Sequence, residues 1–116
     1  MKKTLLAMAA AAAISAPAMA EVKLGIALGF TGPAESLAEA MARGAELAIK
    51  EVSEAGGILG GQTVTSTRAD STCIDASAAA AAADRLVNAD KVDAIVGGLC
   101  SGATISILQN VSMPTG

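Results

Sequence analysis

The sequence contains no histidine, no tryptophan and no tyrosine, and it has one phenylalanine and two cysteines. The absence of histidine excludes histidine-based general-base catalysis and Ser-His triads, and it removes the commonest metal ligand. Two cysteines alone cannot complete a zinc site. Few enzyme mechanisms remain open to this chain, and we expect no metal site and no catalytic residue.

Basic residues are also scarce. The chain has 8 Lys and Arg against 11 Asp and Glu, a net charge of −3, which becomes −5 without Lys2 and Lys3. Proteins that bind nucleic acid need clustered Lys and Arg to neutralise phosphates. No such cluster remains, so we expect no nucleic-acid partner.

The first 20 residues read MKKTLLAMAAAAAISAPAMA. Lys2 and Lys3 precede an apolar stretch that is too short to cross a bilayer comfortably, and the segment ends in Ala18-Met19-Ala20. This pattern predicts a secretory signal peptide over residues 1–20, cleaved after Ala20, and hence a periplasmic location. The alternative is an N-terminal membrane anchor, against which the small residues at the exit argue. Two cysteines in an exported chain are more often paired than free.

The mature chain, residues 21–116, alternates between strand and helix patterns. Apolar and β-branched runs predict strands at 22–29, 62–70 and 92–98. Helices are predicted at 37–55, at 76–89 and from Gly102 or Ala103 to Val111, with a loop after that. Such alternation predicts an α/β fold with a parallel sheet and crossover helices. Because three strands make a poor doubly wound sheet, we expect the chain to be a fragment of a longer protein or a truncated product.

The first helix carries the most detailed pattern. Ser36 with Glu39 three residues later predicts a capping box at its start. Two ion pairs in the favourable i,i+4 order are predicted, Glu39 with Arg43 and Glu46 with Lys50. The predicted apolar face consists of residues at three- and four-residue steps: Leu37, Met41, Ala45, Ala48 and Val52.

Two glycine-containing loops, residues 29–36 and 97–104, follow the first and third strands. Ligands of open α/β sheets bind beyond the carboxyl ends of the strands, and each loop leads into a helix N-terminus, which favours an anion such as a carboxylate. Ser101 and Thr104 are candidates for binding, although they could equally serve only to cap and start the helix. Neither a G-x-G-x-x-G nor a G-K-[ST] motif is present, so no nucleotide cofactor is expected.

Three segments carry a resemblance to a known family. They are the Thr31-Gly32-Pro33 turn, the run RGAELAIKEVSEAGGILG after it, and the stretch LVNADKVDAIVGGLCSGAT at residues 86–104. Together they resemble the N-terminal part of type I periplasmic solute-binding proteins of the leucine/isoleucine/valine type, which serve ABC importers. The resemblance extends over the whole mature chain, which would be part of the N-terminal lobe.

This resemblance implies two α/β lobes that close on a small ligand, an amino acid or amide, and that deliver it to ABC transporter permease subunits. It also implies a monomer, no cofactor, and a disulfide between Cys73 and Cys100 at the carboxyl edges of neighbouring strands. The residues it implies as ligand contacts are Ser36, Leu37, Leu99, Cys100, Ser101 and Thr104, with Ser101 holding the backbone groups of the amino acid. Leu37 replaces an aromatic residue and Gly102-Ala103 replace serines, which leaves the exact ligand open.

Two other functions remain as alternatives. One is a ligand-sensing domain of a signalling receptor, which shares this fold. The other is an enzyme that uses Cys100 as a nucleophile, since a helix N-terminus can lower the pKa of a thiol. The sequence offers no base to assist such a thiol.

Overall fold

A computed structural model describes residues 20–116, so the predicted signal peptide lies outside the described residues except for Ala20. The strands are β1 (Val22–Leu28), β2 (Val64–Asp70) and β3 (Ala94–Gly97), and the helices that follow them are α1 (Glu35–Glu54), α2 (Ala76–Asn88) and α3 (Ser101–Ile107). A π-helical turn, Leu108–Ser112, and a short helix α4, Met113–Thr115, end the chain. The predicted α/β class and alternating order are confirmed.

The sheet is parallel, and its strand order is β2-β1-β3. Val22 of the central strand lies opposite Val64 of β2, and Leu24 lies opposite Ala94 of β3. A strand in this position is covered on both faces, which explains the unbroken apolar run at the end of β1. No helix within residues 20–116 has both the length and the apolar character needed to span a bilayer.

Alternate residues of β1 enter two separate hydrophobic cores. Ile26 and Leu28 pack under α1, whereas Ala27 packs against α2 and α3 on the other face. The alanines of α2 allow a close approach to the sheet, and Gly25 leaves room for Leu86, because a Cβ there would lie 2.7 Å from Leu86 Cδ1. The alanine-rich segment is therefore a packed helix and not a linker.

The face that α1 presents to the sheet differs from the predicted one. Ala38 and Ala42 are fully buried, whereas Leu37 is 55% exposed and Met41 44% exposed. Of the predicted face, Ala45 packs against the buried cluster. The bulky Ile26 and Leu28 already fill the space above the sheet, so small residues face them and the larger ones lie to the side.

The predicted capping box is wrong. Helix α1 begins at Glu35, and its N-cap is Ala34, whose side chain cannot accept a hydrogen bond. Ser36 lies inside the first turn. The preceding turn replaces the cap, because the Gly32 carbonyl accepts a hydrogen bond from the Glu35 N–H at 3.4 Å, and Pro33 is confined to a φ that suits a helix start.

The chain end also differs from the predicted loop after Val111. Helix α3 begins at Ser101, one or two residues earlier than expected, and the chain continues through the π-helical turn into α4. Pro114 stands in the first turn of α4, directly after the π-helical turn, whose last hydrogen bond runs from the Met113 N–H to the Leu108 carbonyl. The Thr115 hydroxyl donates to the Val111 carbonyl at 2.7 Å and so fixes the last turn.

An ion network joins α1 to β2. The predicted Glu39–Arg43 pair is present at 3.6 Å, but Glu46 pairs with Arg68 of β2 and Lys50 pairs with Glu54. The Arg68 guanidinium donates to both Glu46 oxygens, at 2.5 and 2.8 Å, and to Glu39 at 3.0 Å. A bidentate fork over the sheet offers better geometry than a flexible lysine one helical turn away.

This network predicts a specific loss of stability in acid. The hydrogen bond from Arg68 lowers the pKa of Glu46 below its usual range, against the opposing effect of partial burial. A carboxylate whose pKa is depressed by folding stabilises the fold above its unfolded pKa, about 4.3, and loses that effect as the pH falls through the lower folded value. Glu46→Gln should therefore flatten the dependence of the unfolding midpoint on pH below about 5, measured by urea denaturation.

The matched control is Glu54→Gln. Glu54 pairs with Lys50 on the exposed side of the same helix, with 64% of each side chain exposed. Such a surface pair contributes little, so this variant should keep the wild-type acid curve. An identical curve for Glu46→Gln and the wild type would contradict the role given to the Arg68–Glu46 pair.

Candidate functional site

The carboxyl ends of the three strands meet at one edge of the sheet. This edge carries the β1–α1 loop (residues 29–34), the β2–α2 loop (residues 71–75) and the β3–α3 loop (residues 98–100). A disulfide joins Cys73 of the second loop to Cys100 of the third, with their α-carbons 5.3 Å apart. The pairing implied by the resemblance is confirmed, and the alternative of a Cys100 nucleophile fails because this cysteine is not free.

The resemblance implied that the disulfide lies at the edges of neighbouring strands, and this detail is wrong. Strands β2 and β3 lie on opposite sides of β1, so the bridge crosses the end of the central strand. Gly29 lies directly beneath it, since a Cβ at Gly29 would be 2.8 Å from Cys73 Sγ. The expectation failed because strand order cannot be read from chain order: the second crossover carries the chain past β1 to its far side.

The β3–α3 loop is held by its own residues. The Thr104 hydroxyl donates to the Gly98 carbonyl and, at 3.0 Å, to the Cys100 carbonyl. Gly98 has a φ of +79° and no room for a side chain, because a Cβ would lie 2.3 Å from Thr104 Oγ1. These hydrogen bonds show that Thr104 shapes the loop. A contact between Thr104 and ligand stays a prediction.

Leu99 and Cys100 point to opposite faces of the sheet. Leu99 packs against the cluster formed by Ile26, Leu28, Ala38 and Ala42, and Cys100 packs against the core on the α2 side. Leu99 also lines an apolar groove of about 410 Å³ between α1 and β3, together with Met41 and Val96. The two residues fix the loop in place from both sides.

Four of the predicted contacts are exposed at this edge, namely Ser36, Leu37, Ser101 and Thr104. Ser36 and Leu37 lie in the first turn of α1, and Ser101 is the first residue of α3. The first N–H groups of a helix have no partner within it, and no side chain caps the start of α3. The structure thus brings hydroxyl groups and free backbone donors to the same edge.

Comparison with known proteins shows to which family the chain belongs. The sequence profile of the periplasmic binding protein family matches residues 21–112. The chain belongs to the periplasmic binding protein family. An amino acid binding protein of Pseudomonas aeruginosa is 39% identical over 100 residues, which cover 86% of this chain and 26% of that protein.

Parts of solved solute-binding proteins have the same fold as this chain. The branched-chain amino acid transporter substrate-binding protein LivJ of Streptococcus pneumoniae, in complex with isoleucine, superposes with a TM-score of 0.73 at 30% identity, over 81% of this chain and 26% of that one. A solute-binding protein of R. palustris in complex with benzoate gives 0.66 at 26% identity, over 78% and 24%. The chain therefore spans about a quarter of the length of the relatives that it matches.

One residue that sequence reasoning did not single out is Asp70, the last residue of β2. Its carboxylate accepts hydrogen bonds from the Thr31 hydroxyl at 2.5 Å and from the Thr72 N–H at 2.8 Å. Partial burial tends to raise the pKa of Asp70, but these hydrogen bonds outweigh it and hold the pKa below its usual range. The available signal was an acidic residue at the carboxyl end of a strand, directly before the loop that carries Cys73.

Proposed function

We propose that this chain forms part of the N-terminal lobe of the periplasmic substrate-binding component of an ABC importer. In this proposal the whole protein captures a branched-chain or related amino acid, or an amide, and delivers it to membrane permease subunits as a monomer. Residues 1–20 would direct export to the periplasm. The observation that carries the proposal is the sheet edge at which Ser36 and Ser101 are exposed beside two helix starts.

The chemistry of this edge suits the α-carboxylate of an amino acid. Unpaired N–H groups at the start of α3 and the Ser101 hydroxyl are donors, and the local helix dipole favours negative charge. The isoleucine bound to the LivJ relative and the benzoate bound to the R. palustris relative both carry a carboxylate. Leu37, Met41 and Leu99 lie near this edge, and they offer apolar surface for an aliphatic part of the ligand.

The proposal predicts that Ser101 contributes to affinity. In the full-length protein, Ser101→Ala should weaken binding of L-isoleucine, L-leucine or L-valine by about 1–3 kcal/mol, because a buried ligand group would lose its partner. Isothermal titration calorimetry measures the change. The control is Ser77→Ala, which removes an exposed serine from the first turn of α2 and should leave the dissociation constant unchanged.

The same titration on the 116-residue chain alone gives the complementary test. A contact at an exposed helix start contributes about 0.3–1 kcal/mol, whereas a dissociation constant of 1 μM requires about 8 kcal/mol. Small-ligand sites bury most of the ligand surface, and this edge is open to solvent. Micromolar binding by the 116-residue chain, or equal affinities of the full-length wild type and Ser101→Ala, would refute the assignment of the site.

A further inference from the structure

Asp70 contacts two of the three loops at the candidate binding edge. Its position at the end of β2, opposite Leu28 of β1, places the carboxylate between the β1–α1 and β2–α2 loops. Oδ2 accepts from the Thr31 hydroxyl at 2.5 Å, and Oδ1 accepts from the Thr31 N–H at 3.3 Å and the Thr72 N–H at 2.8 Å. One carboxylate thus binds two loops that are far apart in the chain, and its Oδ1 accepts from both of them.

The turn that Asp70 holds has an unfavourable backbone conformation. Thr72 and Cys73 have φ values of +55° and +68°, in the left-handed region that residues other than glycine rarely adopt. Such conformations persist only where surrounding contacts impose them. The contacts here are the Asp70–Thr72 hydrogen bond and two backbone bonds, from the Ser71 N–H to the Leu28 carbonyl and from the Cys73 N–H to the Ser71 carbonyl.

The disulfide connects the Thr72–Cys73 turn to the third loop, β3–α3. Cys73 is bonded to Cys100, and Cys100 directly precedes Ser101 at the start of α3. A continuous series of contacts therefore runs from Thr31 through Asp70 and Thr72 to the Cys73–Cys100 bridge. The β1–α1 and β3–α3 loops, which lead into the two helix starts with candidate ligand contacts, are linked at this edge by one carboxylate and one disulfide.

We propose that Asp70 is a positioning residue that sets the β1–α1 loop and the β3–α3 loop in one fixed relative arrangement. It does so through Thr31 on one side and through the Thr72–Cys73 turn and the disulfide on the other. That this arrangement serves ligand binding rests on the proposed function. The positioning itself does not, and it is tested without ligand.

The test compares Asp70→Ala with the wild type by amide hydrogen exchange and by the rate at which dithiothreitol reduces the disulfide. The Thr31 and Thr72 amides should exchange at least about tenfold faster in the variant, and the bridge should be reduced several-fold faster, because both loops lose their shared acceptor. The Ile26 amide in the middle of β1 should keep its wild-type protection. An equal rise at Ile26 would indicate general destabilisation and would overturn a positioning role.

Two further variants separate the two sides of the contact. Thr31→Val keeps the side-chain shape but removes the hydroxyl, so the Thr31 amide should exchange faster while Thr72 and the reduction rate stay unchanged. Asp70→Asn retains one carbonyl acceptor for the two N–H groups and should restore most of their protection. If Asp70→Ala does not fold, these two variants still decide the question, and wild-type exchange at Thr31 in Thr31→Val contradicts the proposal.

The link to ligand is measured separately, by titrating L-isoleucine into the full-length wild type and into Asp70→Asn and Thr31→Val. We expect at least about a fivefold weaker dissociation constant for Thr31→Val and a smaller effect for Asp70→Asn. Unchanged affinities together with altered exchange would show that the positioning does not serve binding. A wild type that binds neither isoleucine nor benzoate would refute the proposed function, whereas the exchange result on Asp70 would stand.

Discussion

Replacing Gly97 with alanine should destabilise the protein by at least about 3 kcal/mol, because the backbone conformation and a steric clash act together. Gly97 is the last residue of β3, with a φ of +145° that side chains rarely allow. A Cβ there would lie 2.0 Å from the Ala27 carbonyl oxygen and 2.7 Å from its carbon. These are backbone atoms of the central strand and cannot move aside. Urea denaturation followed by circular dichroism measures the loss.

Gly44→Ala is the matched control for this substitution. Gly44 lies in the middle of α1, and a Cβ there would have nothing within 4 Å. Alanine in place of an exposed helical glycine should raise the stability by about 0.5–1 kcal/mol. Effects of opposite sign are expected from the same chemical change, and similar shifts for both variants would contradict the close approach of Gly97 to β1.

The second large effect is expected on removing the disulfide. Cys73 and Cys100 are 27 residues apart, and closing a loop of that length stabilises a fold by about 3–4 kcal/mol in the chain-entropy model. The Cys73→Ser, Cys100→Ser double variant should lose that amount, seen as a lower midpoint in urea. The loss should be larger than for an ordinary surface substitution, because the bridge also supports the left-handed residues Thr72 and Cys73.

Reductant provides the control for this prediction. Dithiothreitol should lower the midpoint of the wild type to that of the double variant and should leave the double variant itself unchanged. Equal midpoints of the wild type with and without reductant would show that the bridge does not contribute to stability.

Much of the fold could be predicted because single residues had strong local preferences. The apolar run of β1 reflects burial on both faces, and the alanines of α2 favour a helix in any context. Helix α2 also has a local start signal, since Asp75 Oδ1 accepts from the Ser77 and Ala78 N–H groups at 2.8 and 3.0 Å. The helix signals act within a few residues, whereas the apolar run of β1 reflects its place in the centre of the sheet.

The errors arose where distant residues decided the outcome. Periodicity selected Leu37 and Met41 for the buried face of α1, but the fully buried residues over the β1 side chains are the small Ala38 and Ala42. The partner of Glu46 is Arg68, a residue of β2 that no helix rule brings near it. Strand order likewise depended on which side of β1 the third strand joined.

Sequence reasoning predicted which loops would meet at one sheet edge, but it did not predict the hydrogen bonds between them. Glycines and hydroxyl residues after β1 and β3 indicated the carboxyl edge of the sheet, where the structure has them, and the resemblance implied the pairing of Cys73 with Cys100. Asp70 was missed because its importance lies in contacts to Thr31 and Thr72, which converge only after the sheet has formed. The ligand contacts themselves stay predictions.

The central position of β1 has a consequence for the order of events during synthesis. Of the three strands described, β1 is synthesised first, but its partners lie beyond α1 and beyond α2 in the chain. The β2 side of β1 can pair once β2 has emerged, but the other side stays unpaired until β3 has been made, so the nascent chain cannot close its sheet from local contacts. In the exported protein that we propose, a sheet completed this late would keep the chain unfolded for longer, as passage across a membrane before disulfide formation requires.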